Sequence, residues 1–446
     1  MRTQTGIGRQ RRAGESTSVA ASLLRILTLV LGTEPQLRLR AWDGSSAGDE
    51  TFPLLEVESP DAVRRLAHEP NELGLARAYI SGDLHFAGDV YDILRALPLD
   101  DGDRPHARSL TVKQRAELTT LVARLGGIGR APAPPPEEAV VAGRRHSRDR
   151  DRTSVTHHYD VGNDFYRLVL GESMVYSCAY WREEDATGSG DGLAGAQRAK
   201  LDLVCRKLGL QVGGGHKRLL DVGCGWGSML LHAASTYGIS GVGITLSEPQ
   251  AALARERLAG AGVADRVEIR VQDYRDVDDG PYDVISSIGM AEHVGEAGYA
   301  EYARRLHGLL APGGRLLNHQ ISRRPGPSRA GTSFIEAYVF PDGELLPLAT
   351  TVGVLEDVGF EVRDVEALRE HYALTLRSWV TNLQSSWDQA VALTSEGRAR
   401  VWQLYMAGSA LAFEANRIGV NQVLAVRPGP GGTSGLPRTR DLLLGT

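Results

Sequence analysis

The segment best suited to chemistry is Leu220-Asp221-Val222-Gly223-Cys224-Gly225-Trp226-Gly227. It follows Arg218-Leu219-Leu220-Asp221-Val222, which reads as a buried strand, and precedes a helical stretch. Glycines at such a turn let the backbone approach a ligand and enter the helix tightly. Dinucleotide-binding proteins use a similar device, so the loop alone leaves its ligand open. Two features narrow the choice: Asp221 directly precedes the first glycine, and the GxGxxG spacing is absent. Asp273, in Val271-Gln272-Asp273-Tyr274, stands at the end of a later strand. A carboxylate there either bonds an adenine amino group or merely caps a loop. The three cysteines, Cys178, Cys205 and Cys224, have no CxxC spacing. That argues against a disulfide framework or a structural zinc site and fits a cytoplasmic setting.

These residues need a frame. Gly241–Thr245, Val267–Val271, Tyr282–Ser286 and Gly314–Asn318 read as further short apolar strands, most of them separated by helical stretches. Alternation of this kind predicts a doubly wound α/β sheet. A helical insert is expected over Ala367–Leu404 and a late strand over Asn421–Val426. Asp-x-Gly-x-Gly-x-Gly is the usual first motif of class I methyltransferases. Their ligand, S-adenosylmethionine, carries an amine and a carboxylate where a dinucleotide carries pyrophosphate. The expected fold is therefore the α/β, Rossmann-like class I S-adenosylmethionine-dependent methyltransferase sheet with a helical insert, joined to a smaller N-terminal α+β domain.

The chain has 446 residues, 42% of them apolar, which suits two domains with real cores. We expect a basic tail over 1–16, an N-terminal domain over 17–125, a linker over 126–152, a catalytic domain over 153–427 and a flexible tail over 428–446. In the N-terminal domain, Leu37–Trp42 alternates like a strand before the Asp43-Gly44 turn. Ser59-Pro60-Asp61 starts a helix, Glu72–Ile80 forms a second and another begins near Asp89. Ala20–Leu31 is too short to span a bilayer and lacks a cleavage signature; it reads as an amphipathic helix or a membrane-surface anchor. Gly126–Pro136 breaks the chain. The charge-dense Arg144–Arg152 run is a solvated linker or a basic lip beside a lipid site. A net charge of -5 excludes a polyanion-binding protein as a whole, and nucleic acid is not an expected partner.

Several separate segments make the chain recognisable. His157-His158-Tyr159-Asp160-Val161-Gly162-Asn163-Asp164-Phe165-Tyr166 leads into Met174-Val175-Tyr176-Ser177-Cys178-Ala179-Tyr180-Trp181. Gly243–Ser247, Gly289–Gly295, Tyr338–Glu344, His371-Tyr372 and Trp379 follow in order. Over residues 155–425 the sequence resembles the cyclopropane-fatty-acyl-phospholipid synthase family, which includes the mycolic acid cyclopropane synthases. The resemblance implies a bicarbonate ion acting as base, with Cys178, Glu292, His319, the backbone of Ile321 and Tyr372 matching its ligands. It implies methyl-donor contacts at Tyr176, Ser177, Gly223, Gly225, Thr245, Leu246, Gln250, Asp273 and Tyr274, to which the first motif adds Asp221. It also implies an unsaturated phospholipid substrate, peripheral contact with the inner face of the membrane and a homodimer. Leu73–Leu84 relates the N-terminal domain to the lipid-associated domain of full-length synthases.

The implied chemistry is physically coherent. An isolated alkene is a poor nucleophile, so the sulfonium must be held in line with it in a dry pocket. Methyl transfer leaves a carbocation that must lose a proton. Direct loss with ring closure gives a cyclopropane; a hydride shift first gives an exocyclic methylene, the precursor of 10-methyl acids made with a partner reductase. Taken singly, Cys178, His319 and Tyr372 also read as ordinary core residues. Phe413-Glu414 stands where the family shows Phe-Arg, and Asn421 where an aromatic precedes Gln422. Arg323–Thr332 is unusually rich in Pro and Gly. A small-molecule methyltransferase would not need Tyr176–Cys178 or His319. A non-catalytic lipid-binding relative would be expected to lose Asp221, Glu292 or His319. A zinc site at Cys178, Glu292 and His319 lacks any local spacing motif.

Overall fold

The computed structural model describes residues 18–97, 110–139, 147–148, 150, 161–213, 216–326 and 332–440. The expected basic tail, most of the Arg144–Arg152 run and His157–Asp160 lie outside the described residues. The chain divides into two compact units, Met1–Pro135 and Pro136–Thr446.

In the first unit, strands β1 (Arg38–Ala41), β2 (Ser46–Ala47), β3 (Leu54–Val57) and β4 (Leu84–Ala87) form one sheet in the order β2-β1-β3-β4. Sequence patterning had no signal for the last three, which are short and flank tight turns. The helices begin where small polar caps stand. Ser18 precedes Val19–Leu31 and Ser59 precedes Pro60–His68, each accepting a backbone N–H. Asn71 accepts two at the start of Glu72–Ile80, as Asp89 does for Val90–Ala96. No helix among the described residues is long and apolar enough to cross a membrane.

The second unit is built on one sheet of β5 (Arg218–Val222), β6 (Ser240–Thr245), β7 (Val267–Val271), β8 (Tyr282–Ile288), β9 (Leu310–Arg323), β10 (Leu346–Pro347), β11 (Glu361–Ala367) and β12 (Ile418–Val426). The order is β11-β12-β9-β8-β5-β6-β7, with β10 beside β9. Strands β5 to β9 run parallel, while β12 is antiparallel to both its neighbours. Adjacent residues face opposite sides. Leu219, Val284, Leu317 and Leu424 join the core beneath the Gly192–Lys207, Ser228–Tyr237 and Glu248–Gly260 helices. Leu220, Ile285, Leu316 and Val423 join the other core, with Tyr299, Tyr302 and Leu355. Each buried leucine contributes roughly 1.5–3 kcal/mol of transfer free energy, so the two cores fix the sheet's register. Chain order reverses between β5 and β8, and a crevice opens at the carboxyl ends of strands there.

Two boundaries differ from expectation. Ala367 ends strand β11, and the helical region instead runs from Arg369–Ser385 through Trp387–Leu393 to Glu396–Glu414. Residues 361–367 pair with β12, with a bulge between Val362 and Asp364, before the helix starts. The tail from 428 is also anchored as far as Arg440: Leu436 packs against the core, Gly435 O accepts from Arg315 at 2.8 Å, and Arg440 pairs with Asp364 at 2.8 Å.

Candidate functional site

The crevice has a volume of about 190 Å³ and is walled by the loops that follow β5, β6, β7 and β8. Gly223 and Gly225 line it in left-handed conformations, φ 78° and 53°. A Cβ on Gly223 would stand 3.1 Å from the Met290 side chain. Thr245, Leu246 and Gln250 form the next wall. The Thr245 hydroxyl donates to Gln250 Oε1 at 2.8 Å, and Ser247 caps the helix that carries Gln250. Asp273 and Tyr274 close the far side. The Asp273 carboxylate is held by Arg275 through its backbone N–H and guanidinium, which lowers its pKa against the opposing effect of burial.

Three of the expected donor residues stand off this wall. Asp221 is buried behind it, accepting from Ser286 at 2.6 Å. Burial pushes its pKa up to about 6, against the Ser286 hydroxyl and the charge of Lys200. Ser177 accepts from Lys200 Nζ at 3.1 Å. Tyr176 is ringed by Tyr166, Trp379 and Trp402 at centroid distances of 5.6, 5.4 and 5.8 Å, and its hydroxyl meets Tyr405 at 3.2 Å. The segment before it is fastened to the glycine motif: Trp226 donates to Asn163 at 2.8 Å, and Tyr166 lies 4.7 Å from the Trp226 ring.

The candidate catalytic residues are linked through the backbone. Leu368 O lies 3.6 Å from Cys178 Sγ and accepts the Tyr372 N–H at 3.1 Å. Leu368 N donates to Val420 O, and Val420 pairs with Ile321 across β12 and β9. Ile321 N donates to Glu292 Oε1 at 2.7 Å, so this N–H is committed within the protein. His319 lies two residues earlier on β9, with Nδ1 3.3 Å from Gln422 Nε2. Tyr372 packs against Phe413, with ring centroids 4.7 Å apart and planes tilted by 37°.

Burial sets the ionisation of this group. The Cys178 thiol is pushed well up, and Lys200 only partly offsets that. Glu292 is partly exposed as a residue, yet its Oε2 is enclosed without a partner. Burial pushes its pKa up to about 7, opposed by the Ile321 N–H. His319 is held down to about 3 by burial and by the charges of Lys200 and Lys207; its Nε2 is likewise enclosed without a partner. A neutral imidazole and a carboxyl poised near neutrality, each with one unsatisfied atom, can hold a small polar ion and move a proton.

Sequence reasoning missed several residues. Gln272, Met290 and His293 also line the crevice; all lie within segments singled out for other reasons. Lys200 and Lys207, both almost fully buried, were missed although their i, i+7 spacing puts them on one helix face with Ala196, Ala199, Leu203 and Val204. The described part of the charge run is not a bare basic lip. Arg148 pairs with Asp276 at 2.9 Å and Arg150 pairs with Asp342, a crevice residue.

The chain is similar to several known proteins. The family described as mycolic acid cyclopropane synthetase matches residues 146–423. A probable fatty acid methyltransferase of Mycobacterium tuberculosis is 42% identical over 431 residues, 94% of this chain and 96% of the relative. The tuberculostearic acid methyltransferase UfaA1 of the same organism is 32% identical over 427 residues, 94% and 93% of the two chains. The crystal structure of mycolic acid cyclopropane synthase CmaA1 complexed with SAH and CTAB is similar at a TM-score of 0.57 and 34% identity, covering 62% of this chain and 98% of that one.

Proposed function

The chain belongs to the mycolic acid cyclopropane synthetase family, and from that premise we propose that it methylates the mid-chain double bond of an unsaturated acyl chain in a membrane phospholipid. It is an S-adenosylmethionine-dependent methyltransferase of class I fold. The crevice residues Gly223, Gly225, Thr245, Leu246, Gln250, Asp273 and Tyr274 would hold the donor. Asp221 supports the loop from behind, and Lys200 orients Ser177. The aromatic ring around Tyr176 excludes water from the reacting carbon and offers π-faces to a cation.

The observation that carries the reading is the pair of enclosed, unpartnered atoms, Glu292 Oε2 and His319 Nε2. They fit a small oxyanion: His319, Cys178 and Tyr372 supply donors, and Glu292 supplies a carboxyl that gains or loses a proton near neutrality. Bicarbonate bound there would supply a base smaller than any side chain. Glu292 would orient the set or take up its proton, and Phe413 keeps Tyr372 in place.

Two products are open to the same cation. Immediate ring closure gives a cyclopropane; a prior hydride shift gives a methylene-branched chain that a partner reductase would convert to a 10-methyl acid. The likeness to a tuberculostearic acid methyltransferase supports the second outcome, and the likeness to a cyclopropane synthase supports the first. Access to a bilayer substrate calls for peripheral work at the inner membrane face, with the N-terminal unit in lipid contact; a homodimer is what the family resemblance implies. Incubation with oleoyl phospholipid vesicles and labelled donor tests the proposal: label should appear in the acyl chains, and label confined to small molecules would overturn it.

A further inference from the structure

His319, Gln422 and Glu366 form one row across three strands: Gln422 pairs with His319 on β9 and with Glu366 on β11. His319 is two residues from Leu317 and Gln422 two from Leu424, so the row lies on the face covered by the Gly192–Lys207 helix. Lys207, at the end of that helix, reaches into the row. Its ammonium pairs with Glu366, lies 3.5 Å from Asp364 and donates to Gln422 Oε1 at 2.9 Å. Both Lys207 and Gln422 are almost fully buried.

The donor inventory fixes the rest. An ammonium only donates, so the Gln422 atom facing Lys207 is the amide oxygen. The amide NH2 therefore faces Nδ1 of His319, 3.3 Å away, and Nδ1 must accept. The single proton of the neutral ring then sits on Nε2, the enclosed atom without a protein partner.

We infer that Lys207 and Gln422 are positioning residues that lock His319 as the tautomer with its proton on Nε2, so that this ring presents a donor and never a base to whatever occupies the site. The inference rests on the proposed role of His319. It explains two buried side chains that the donor crevice does not use, and why Lys207 is tolerated on a buried helix face that also carries Ala196, Leu203 and Val204. Glu366 and Asp364 balance the lysine's charge, so no bare cation is buried.

The test is nitrogen NMR of full-length protein labelled with 15N-histidine, with the His319 signals assigned by difference from His319→Gln. Wild type should show one neutral tautomer, protonated at Nε2, between pH 6 and 8. Gln422→Glu puts a carboxylate opposite Nδ1 and should move the proton there, or charge the ring. Lys207→Met frees the amide to turn over and should give mixed tautomers. Both variants should keep donor binding and lose turnover on the order of 10- to 100-fold, as when an imidazole loses its orienting partner. A wild-type ring protonated at Nδ1, or an Nε2–H form unchanged in both variants, would overturn the inference. Should the tautomer follow Gln422 while His319→Gln still turns over normally, the lock stands and the catalytic reading of His319 falls.

Discussion

Glu292 takes the backbone N–H of Ile321 at 2.7 Å through one carboxylate oxygen and leaves the other enclosed and unpartnered. Ile321 lies two residues beyond His319 on β9, so this one bond ties the carboxyl to the strand that carries the imidazole.

Glu292→Gln preserves the acceptor for Ile321 but cannot ionise. Donor affinity, measured by calorimetry, should match wild type, while turnover falls on the order of 10²- to 10⁴-fold. A near-normal rate would remove Glu292 from the catalytic group.

The pH dependence follows from the same carboxyl. Burial raises its pKa from 4.5 to about 7, so the folded state holds this proton where the unfolded chain has released it. Its contribution is fully present below about pH 4.5 and is lost as pH rises through about 7, up to about 3 kcal/mol. Glu292→Gln should therefore gain stability relative to wild type on going from pH 5 to 8, read as the difference in Tm. If the carboxylate is the working form, wild-type kcat/KM should also show a rising limb near pH 7 that the variant lacks. Parallel Tm profiles would mean that the carboxyl is not buried as described.

At the crevice, Asp273→Ala should weaken donor binding by about tenfold or more, the scale of a lost charge-assisted bond, with little change in kcat at saturation. Gly223→Val should abolish binding outright, since φ 78° disfavours a branched side chain and Met290 crowds its Cβ at 3.1 Å. Unchanged donor affinity in both would relocate the donor.

Much of this was legible beforehand because the signals were local. The Glu72–Ile80 helix ends before its Ser81-Gly82-Asp83 stop, and strands β5 and β7 coincide with the short apolar runs that marked them. The glycine loop was visible because its conformation demands glycine. What escaped was non-local. The pairing of Gln422 with His319 depends on the β9–β12 register, which one strand cannot reveal. Lys200 and Lys207 look like ordinary surface charges until the fold supplies Ser177 from a loop and Gln422 and Glu366 from β12 and β11 as partners. Asn421, an anomaly in sequence, proves to bond Ser322 at 2.7 Å.

Removing residues 1–125 tests the N-terminal unit. Action on vesicles should fall by more than donor affinity does, measured as initial rate against calorimetric Kd. Equal vesicle activity with and without the unit would refute a lipid role for it.

Proton NMR of the product reads methyl transfer to a phospholipid double bond directly. Purified protein is incubated with oleoyl phospholipid vesicles, bicarbonate and methyl-deuterated donor, and the acyl chains are recovered. The vinylic protons should be lost, with either high-field ring protons or an exocyclic methylene in their place. Intact vinylic signals, in protein confirmed to bind the donor, would contradict such transfer and point to a small-molecule methyl acceptor.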